Sequence, residues 1–123
     1  LLETLLALDQ VTKRNGFLEN HFNAWKIMSS AYIIASVTVT NPTQYEEYKK
    51  WSSAAMQAHG AEVCVRGGKV EVLEGDWNPG RTVILKFPTF EAARAFYDTP
   101  EYQKAKAARE GAAIMRMVVV EGV

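Results

Sequence analysis

The sequence contains little of what metal sites and disulfides are made of: one cysteine, Cys64, and two histidines, His21 and His59, in 123 residues. A single cysteine cannot form a disulfide within the chain, which is typical of proteins from a reducing compartment. Since no cationic residue flanks Cys64, we expect a small core residue in a strand and not a reactive thiol. The histidines show no metal-ligand spacing, so we expect no metal. No phosphate-loop or dinucleotide motif is present, so we expect no cofactor.

The chain also lacks an excess of charge and a long apolar run. Fourteen Lys and Arg residues balance fourteen Asp and Glu residues, which argues against nucleic acid and anionic membranes as partners. No apolar run approaches the roughly 18 residues that a membrane span needs. The leucine-rich N-terminus does not follow the charge order of a secretory signal, because Lys13 and Arg14 come after the leucines. We therefore predict a cytoplasmic protein.

Residues 1–30 differ in character from the rest. Leucines at helical spacing predict a short amphipathic helix that ends at Asn15-Gly16. Two origins stay open: a genuine helical extension, whose leucine face packs on the domain, a second subunit or another partner, or a leader that comes from an expression vector or from upstream sequence. The domain itself is expected at residues 31–123.

From residue 31 the pattern is strand, helix, strand, strand, helix, strand. The strands are predicted at 31–40, 61–66 with a continuation at Val70 to Leu73, 81–87 and 114–120. Asn41-Pro42 and Thr89 begin the helices, and Thr99-Pro100 restarts the second one. This order predicts an α+β ferredoxin-like βαββαβ sandwich, with both helices on one face of a four-stranded antiparallel sheet.

The other face of the sheet is expected to be half apolar, with Tyr32, Ile34, Ser36 and Thr38 from the first strand. Such a face is too apolar to be left in water and too polar for a core. We therefore predict a homodimer in which two sheets pack face to face, that is, a dimeric α+β barrel.

From Ala31 to Val123 the sequence resembles the bacterial domain-of-unknown-function family numbered 1330, in the dimeric α+β barrel superfamily. The residues that carry the resemblance are Tyr32, His59-Gly60, Val65-Arg66-Gly67-Gly68, Val72-Leu73-Glu74-Gly75-Asp76-Trp77, Arg81, Phe87-Pro88, Ala92, Phe96-Tyr97, Thr99-Pro100-Glu101-Tyr102 and Arg109. Phe96 stands where the family often has tryptophan, and Thr99 where it often has serine. The resemblance implies the fold and a dimer. It implies no established reaction, so no catalytic residue is carried over.

Each candidate ligand-binding residue has a structural alternative. His59 ends the first helix, where it interacts with the helix dipole or acts as a general base. Arg66 and Arg81 bind a carboxylate, or they pair with Glu71, Glu74 or Asp76 or form a dimer contact. Trp77 covers a pocket or packs on protein. Tyr97 and Tyr102 contact a ligand, or form a network with Arg109 or Glu101. The full set of candidates is Tyr32, His59, Arg66, Trp77, Arg81, Tyr97, Tyr102 and Arg109.

Two functions stay open at this point. The first is a barrel pocket that binds or converts a small oxygenated or acidic molecule without a cofactor. It follows by analogy, since the superfamily resembled here includes cofactor-free monooxygenases and isomerases of small, often aromatic, oxygenated compounds. The second is a non-catalytic homodimeric assembly or ligand-sensing module.

Overall fold

The computed structural model describes residues 29–123. Their elements are β1 (Ala31–Val39), α1 (Pro42–Ala58), β2 (Glu62–Arg66), β3 (Arg81–Phe87), α2 (Phe90–Tyr97), α3 (Pro100–Ala108) and β4 (Ala113–Glu121). The helix predicted near the N-terminus lies outside the described residues. Within residues 29–123, no helix is both long and apolar enough to cross a bilayer.

The strands form one antiparallel sheet in the order β2-β3-β1-β4. Two strand–helix–strand units interleave so that β1 and β3 lie side by side in the centre of the sheet. This is the ferredoxin-like order, so the predicted fold is confirmed.

The alternation of β1 decides which side of the sheet the helices cover. Ile33, Ala35 and Val37 are each at most 4% exposed and face the helices, together with Leu85 and Phe87 of β3. The intervening residues of β1 are more accessible. The predicted asymmetry between the two faces of β1 is confirmed, because successive strand residues point to opposite faces.

The first helix begins and ends where the sequence predicts. The Asn41 side chain accepts a hydrogen bond from the Gln44 backbone N–H at 3.1 Å, and Pro42 occupies the first turn. Gly60 follows the helix with a left-handed φ of 67°. The buried stripe of α1 consists of Tyr45, Tyr48, Ser52 and Ala55.

The second helical region is divided as predicted. Thr89 caps α2, and Thr99 caps α3 by accepting a hydrogen bond from the Tyr102 backbone N–H at 3.2 Å. Thr99 also donates to the carbonyl of Phe96 at 2.8 Å, which ties the end of α2 to the start of α3. The division lets α3 turn away from α2 and pack against α1.

Two local predictions were wrong. Val70 to Leu73 do not form a strand: β2 ends at Arg66, Gly67 turns the chain with a φ of 65°, and no described strand pairs with the segment that follows. Cys64 is exposed and is not a core residue. The register of β2 shifts between Val63 and Val65, so Cys64 is the extra residue of a bulge and drops out of the inside–outside alternation.

We call the helix-free side of the sheet the open face. Its residues are Tyr32, Ile34, Ser36 and Thr38 of β1, Val65 of β2, Thr82, Ile84 and Lys86 of β3, and Ile114, Arg116, Val118 and Val120 of β4. Part of it lies under residues 76–79, which form a polar depression with Ser36, Thr38, Ile114 and Arg116.

Candidate functional site

A cavity of about 230 Å³ lies between the helix-covered face of the sheet and the helices α1 and α3. Strands β1, β3 and β4 supply an apolar floor, and α1 supplies one wall that carries hydroxyl groups. The residues that line it are Ile33, Ala35, Val37, Tyr45, Tyr48, Lys49, Ser52, Ser53, Met56, Arg66, Arg81, Val83, Leu85, Phe96, Tyr102, Met115 and Met117. An apolar pocket with a few convergent polar groups is the usual form of a small-molecule site.

Arg66 and Arg81 bring positive charge to this cavity. Arg66 ends β2 and Arg81 begins β3, so the connection between these strands places the two side chains at one end of the sheet. Neither arginine forms a salt bridge with a carboxylate of residues 29–123, so the alternative of pairing with Glu71, Glu74 or Asp76 is not observed. The Nε atom of Arg81 is buried and has no hydrogen-bond partner among those residues.

Gly67 leaves the space that the Arg81 side chain occupies. A Cβ atom at Gly67 would lie 2.7 Å from the guanidinium carbon of Arg81 and 3.2 Å from its Cγ. The guanidinium group therefore packs directly on the backbone of the turn after β2.

Two tyrosines face each other in the wall of the cavity. The hydroxyls of Tyr48 and Tyr102 are 2.9 Å apart, and their rings meet edge to face. Both side chains are buried. Burial first, and then the neighbouring Tyr102, raises the pKa of Tyr48 above its ordinary value. The Tyr48 phenol therefore stays protonated at neutral pH.

Tyr45 lies one turn before Tyr48 on the same stripe of α1, with the two ring centroids 5.1 Å apart. Burial raises the pKa of Tyr45, and the positive charge of Arg81 opposes that shift. Arg81 therefore lies close enough to Tyr45 to lower its pKa, and it also lines the cavity.

Of the candidate residues predicted from sequence, the cavity brings together Arg66, Arg81 and Tyr102. The hydroxyl of Tyr102 bonds to Tyr48 and not to the predicted partners Arg109 or Glu101. The cation of Arg109 lies 5.6 Å from the centre of the Tyr48 ring, and Arg109 is not among the residues that line the cavity.

The other candidates lie elsewhere. His59 caps the C-terminus of α1, and its Nε2 is 2.8 Å from a carboxylate oxygen of Glu101. Tyr97 packs on Tyr102 from outside the cavity, with centroids 5.5 Å apart. Trp77 is 64% exposed and lies beside the open face, which also contains Tyr32. A ligand role for these four residues stays a prediction.

Sequence reasoning missed several residues of the cavity, chiefly Tyr45, Tyr48, Ser52 and the methionines of β4. A signal was present in α1, where its apolar stripe carries hydroxyl-bearing side chains. Buried hydroxyls need partners, so their grouping on one buried stripe indicates a polar wall. Among residues 29–123, no group of three or more His, Cys, Asp or Glu side chains is placed to hold a metal ion.

Comparisons with known proteins agree with this fold. Residues 30–123 match the family described as "Domain of unknown function (DUF1330)". A crystal structure of a protein of unknown function from Rhodopseudomonas palustris is 18% identical and superposes with a TM-score of 0.63, covering 78% of this chain and 84% of that one. A provisional antibiotic biosynthesis monooxygenase from Caulobacter crescentus is 16% identical, with a TM-score of 0.52 over 84% of this chain and 98% of that one. Such likenesses concern the fold alone.

A short stretch of the chain also matches curated proteins of another kind. It is 83% identical over 24 residues to the 2-dehydro-3-deoxyphosphooctonate aldolase of Paracidovorax citrulli. The match covers 20% of this chain and 8% of that relative. The chain thus spans less than a tenth of the length of the curated relatives it matches.

Proposed function

The chain belongs to the DUF1330 family, and we propose that it binds a small, largely apolar carboxylate in the cavity between its sheet and its helices. One observation carries this proposal: Arg81 lines an apolar cavity, and its buried Nε has no hydrogen-bond partner among residues 29–123. The residues that line the cavity indicate the charge of the ligand, and the volume of the cavity indicates its size.

The arginines of the cavity indicate that the ligand is negatively charged. A buried donor without a partner costs free energy, and a ligand that accepts its hydrogen bond recovers that cost. The planar guanidinium fork matches the two oxygens of a carboxylate. Since Arg66 also lines the cavity and forms no salt bridge among residues 29–123, the site favours a negatively charged group over a neutral one.

The size follows from the cavity. Its volume of about 230 Å³ exceeds the ~30 Å³ that a water molecule occupies, and it is smaller than the roughly 300–1,000 Å³ of pockets for drug-sized ligands. The floor of aliphatic side chains and methionines suits an apolar body behind the carboxylate. The ligand is therefore a small organic acid.

The test is a thermal-shift screen of small organic acids, each paired with its primary amide. The acids are expected to raise the melting temperature and the amides to have little effect, because ligand binding to the native state stabilises it. Calorimetric titration of the best acid against Arg81→Gln should show a loss of about 1.5–3 kcal/mol, on the order of tenfold to a hundredfold in affinity.

Arg94→Gln is the matched control, since Arg94 is an exposed arginine that pairs with Asp98 at 2.9 Å. It should bind the acid as the wild type does. A screen in which no acid stabilises the protein, or an Arg81→Gln variant with unchanged affinity, contradicts the proposal.

The proposal includes conversion of the bound acid, because the hydroxyls of Tyr48 and Tyr102 place proton donors in the wall of the cavity. Each acid that binds should be incubated with the protein in air and analysed for product. A product formed by the wild type and lost in Tyr102→Phe supports conversion. Unchanged acid after long incubation restricts the function to binding.

A second function is supported by a different surface: self-association through the open face. Val65, Ile84, Ile34 and Val118 stand in register across all four strands and form one apolar row. Val118 is 59% exposed, and Ile114, which lies on the same face of β4 beyond Arg116, is 61% exposed. Apolar rows of this kind are usually covered, and a second copy of the sheet offers a surface of the same shape. The cavity lies on the opposite side, so ligand binding and pairing are separable.

A further inference from the structure

The hydroxyl pair in the cavity wall carries a proton without a strong acceptor. The Tyr48 and Tyr102 hydroxyls are 2.9 Å apart, and either one can be the donor. Each phenol has one proton to donate. Their mutual hydrogen bond uses one of the two protons and leaves the other for a different acceptor.

The structure offers that second proton only a thioether. The Tyr102 hydroxyl lies 3.9 Å from Sδ of Met115, and sulfur is a weak acceptor. Among residues 29–123, no further acceptor is within hydrogen-bond distance of either hydroxyl. Tyr48 and Tyr102 are 6% and 2% exposed, so bulk water does not reach the pair freely.

The surroundings of the pair direct the proton toward the cavity. Met115 is itself a lining residue, and so are both tyrosines. The cation of Arg109 lies 5.6 Å from the centre of the Tyr48 ring and outside the cavity lining, and it cannot accept a hydrogen bond. An oxygen atom placed in the cavity near Met115 would therefore be a better acceptor than any group now present.

We propose that Tyr102 donates a hydrogen bond to an uncharged oxygen of the ligand, so that the ligand is a carboxylate with a second, neutral oxygen such as a ketone. The inference rests on the proposed function, in which Arg81 holds the carboxylate. Tyr102 adds a second point of recognition, one that an unsubstituted fatty acid does not satisfy.

The experiment compares two series of acids on the wild-type protein by calorimetry. One is a graded series of oxo carboxylates with the ketone near the far end of the chain, and the other consists of alkanoates of equal chain length. One chain length should let the carboxylate reach Arg81 while the ketone reaches Tyr102. At that length the oxo acid should bind about threefold to tenfold more tightly than the alkanoate, which is the effect of one hydrogen bond.

Three tyrosine variants locate the donor. Tyr102→Phe should bind the oxo acid and the alkanoate equally. Tyr48→Phe should keep the preference, because Tyr102 retains its own proton. Tyr97→Phe is the matched control: its ring packs on Tyr102 but lies outside the cavity, so removing its hydroxyl should leave the preference unchanged.

The outcomes separate this inference from the proposed function. If neither series binds, the proposed carboxylate site is wrong. If both series bind the wild type equally at every chain length, the site stands and the Tyr102 inference is overturned, a result that does not depend on whether any variant folds. A preference that survives in Tyr102→Phe also overturns it.

Discussion

Arg81 can lie over the β2–β3 turn because position 67 has no side chain. A Cβ atom there would meet the guanidinium carbon at 2.7 Å, and the backbone adopts a φ of 65°. A glycine satisfies both conditions, since it lacks a Cβ and accepts the left-handed region at no steric cost. The geometry of the proposed anion site is therefore fixed partly by a residue that does not touch the ligand.

Gly67→Ala should weaken binding of the best acid by about tenfold, because the new methyl group displaces Arg81. It should also lower the free energy of unfolding by roughly 1–2 kcal/mol through left-handed strain. Gly60→Ala is the control, since its φ of 67° imposes similar strain while a Cβ there has nothing within 4 Å. Calorimetry and thermal denaturation separate the two effects. Equal affinities in both variants would show that Gly67 does not position Arg81.

Sequence placed single residues best where their position depends on local features, although a ligand-binding role for them stays a prediction. Arg66 and Arg81 stand beside glycine turns at strand ends, and the structure places both at the cavity. Cys64 was misplaced because its exposure depends on a shift in pairing with β3, which depends on a partner strand distant in sequence. Tyr48 was missed as a lining residue because its partner Tyr102 is 54 residues away.

At the scale of elements, the helices are joined by short polar contacts. Thr99 connects α2 to α3 by capping one helix and donating to the end of the other. His59 and Glu101 connect the end of α1 to the start of α3. Since Tyr102 belongs to the first turn of α3, both contacts also bear on how the cavity wall is held.

Thr99→Ala should lower the free energy of unfolding by about 1 kcal/mol, because the cap of α3 loses its acceptor. Chemical denaturation measures this directly. Thr43→Ala, at an exposed position in the first turn of α1, should change it by less than about 0.5 kcal/mol. Losses of equal size in both variants would mean that the Thr99 cap contributes nothing specific.

The contact between His59 and Glu101 predicts a pH dependence. The hydrogen bond from His59 lowers the pKa of Glu101 below its ordinary value of 4.5. Since the folded-state pKa is the lower one, the contact stabilises the protein above pH 4.5 and is lost as the pH falls through the folded-state value. The Glu101→Ala variant should thus have a lower melting temperature than the wild type at neutral pH. In stronger acid the two melting temperatures should be equal.

Thermal denaturation across that pH range checks this, with His59→Phe as the background control. In that background the Glu101→Ala substitution should lose most of the pH-dependent part of its effect, because the hydrogen bond from His59 is the largest cause of the lowered pKa of Glu101 and only the smaller effect of a backbone hydrogen bond remains. A pH-dependent difference of unchanged size without His59 would show that His59 does not cause the shift in the pKa of Glu101.

The elements themselves were largely predictable, since each helix carries its start signal in its own sequence. Asn41-Pro42, Thr89 and Thr99-Pro100 mark the three helix starts, and the structure begins α1, α2 and α3 there. Val70 to Leu73 show the limit of such reasoning. Their β-branched pattern favours a strand, but a strand also needs a partner, and no described strand pairs with this segment.

At the scale of the whole domain, the sheet separates two proposed functions. The helix-covered side contains the cavity, and the open face carries the apolar row of Val65, Ile84, Ile34 and Val118. A substitution on one side should therefore leave the property of the other side unchanged.

Val118→Lys should convert a dimer into a monomer, because it places a charge in the apolar row of the proposed interface. Analytical ultracentrifugation measures the mass. Ala107→Lys, on the exposed surface of α3, and Arg81→Gln should both keep the wild-type mass. A wild-type protein that is monomeric at high concentration, or a Val118→Lys variant that stays dimeric, would contradict pairing through the open face.

The most direct measurement of the central claim is a crystal structure of the protein with the best acid from the screen. The carboxylate should lie within hydrogen-bond distance of the Arg81 guanidinium group, with the apolar body of the acid over the strand residues that floor the cavity. An acid that lies instead on the open face beside Trp77 and Arg116, with the cavity filled by rearranged side chains, would contradict the claim that this domain binds its ligand between sheet and helices.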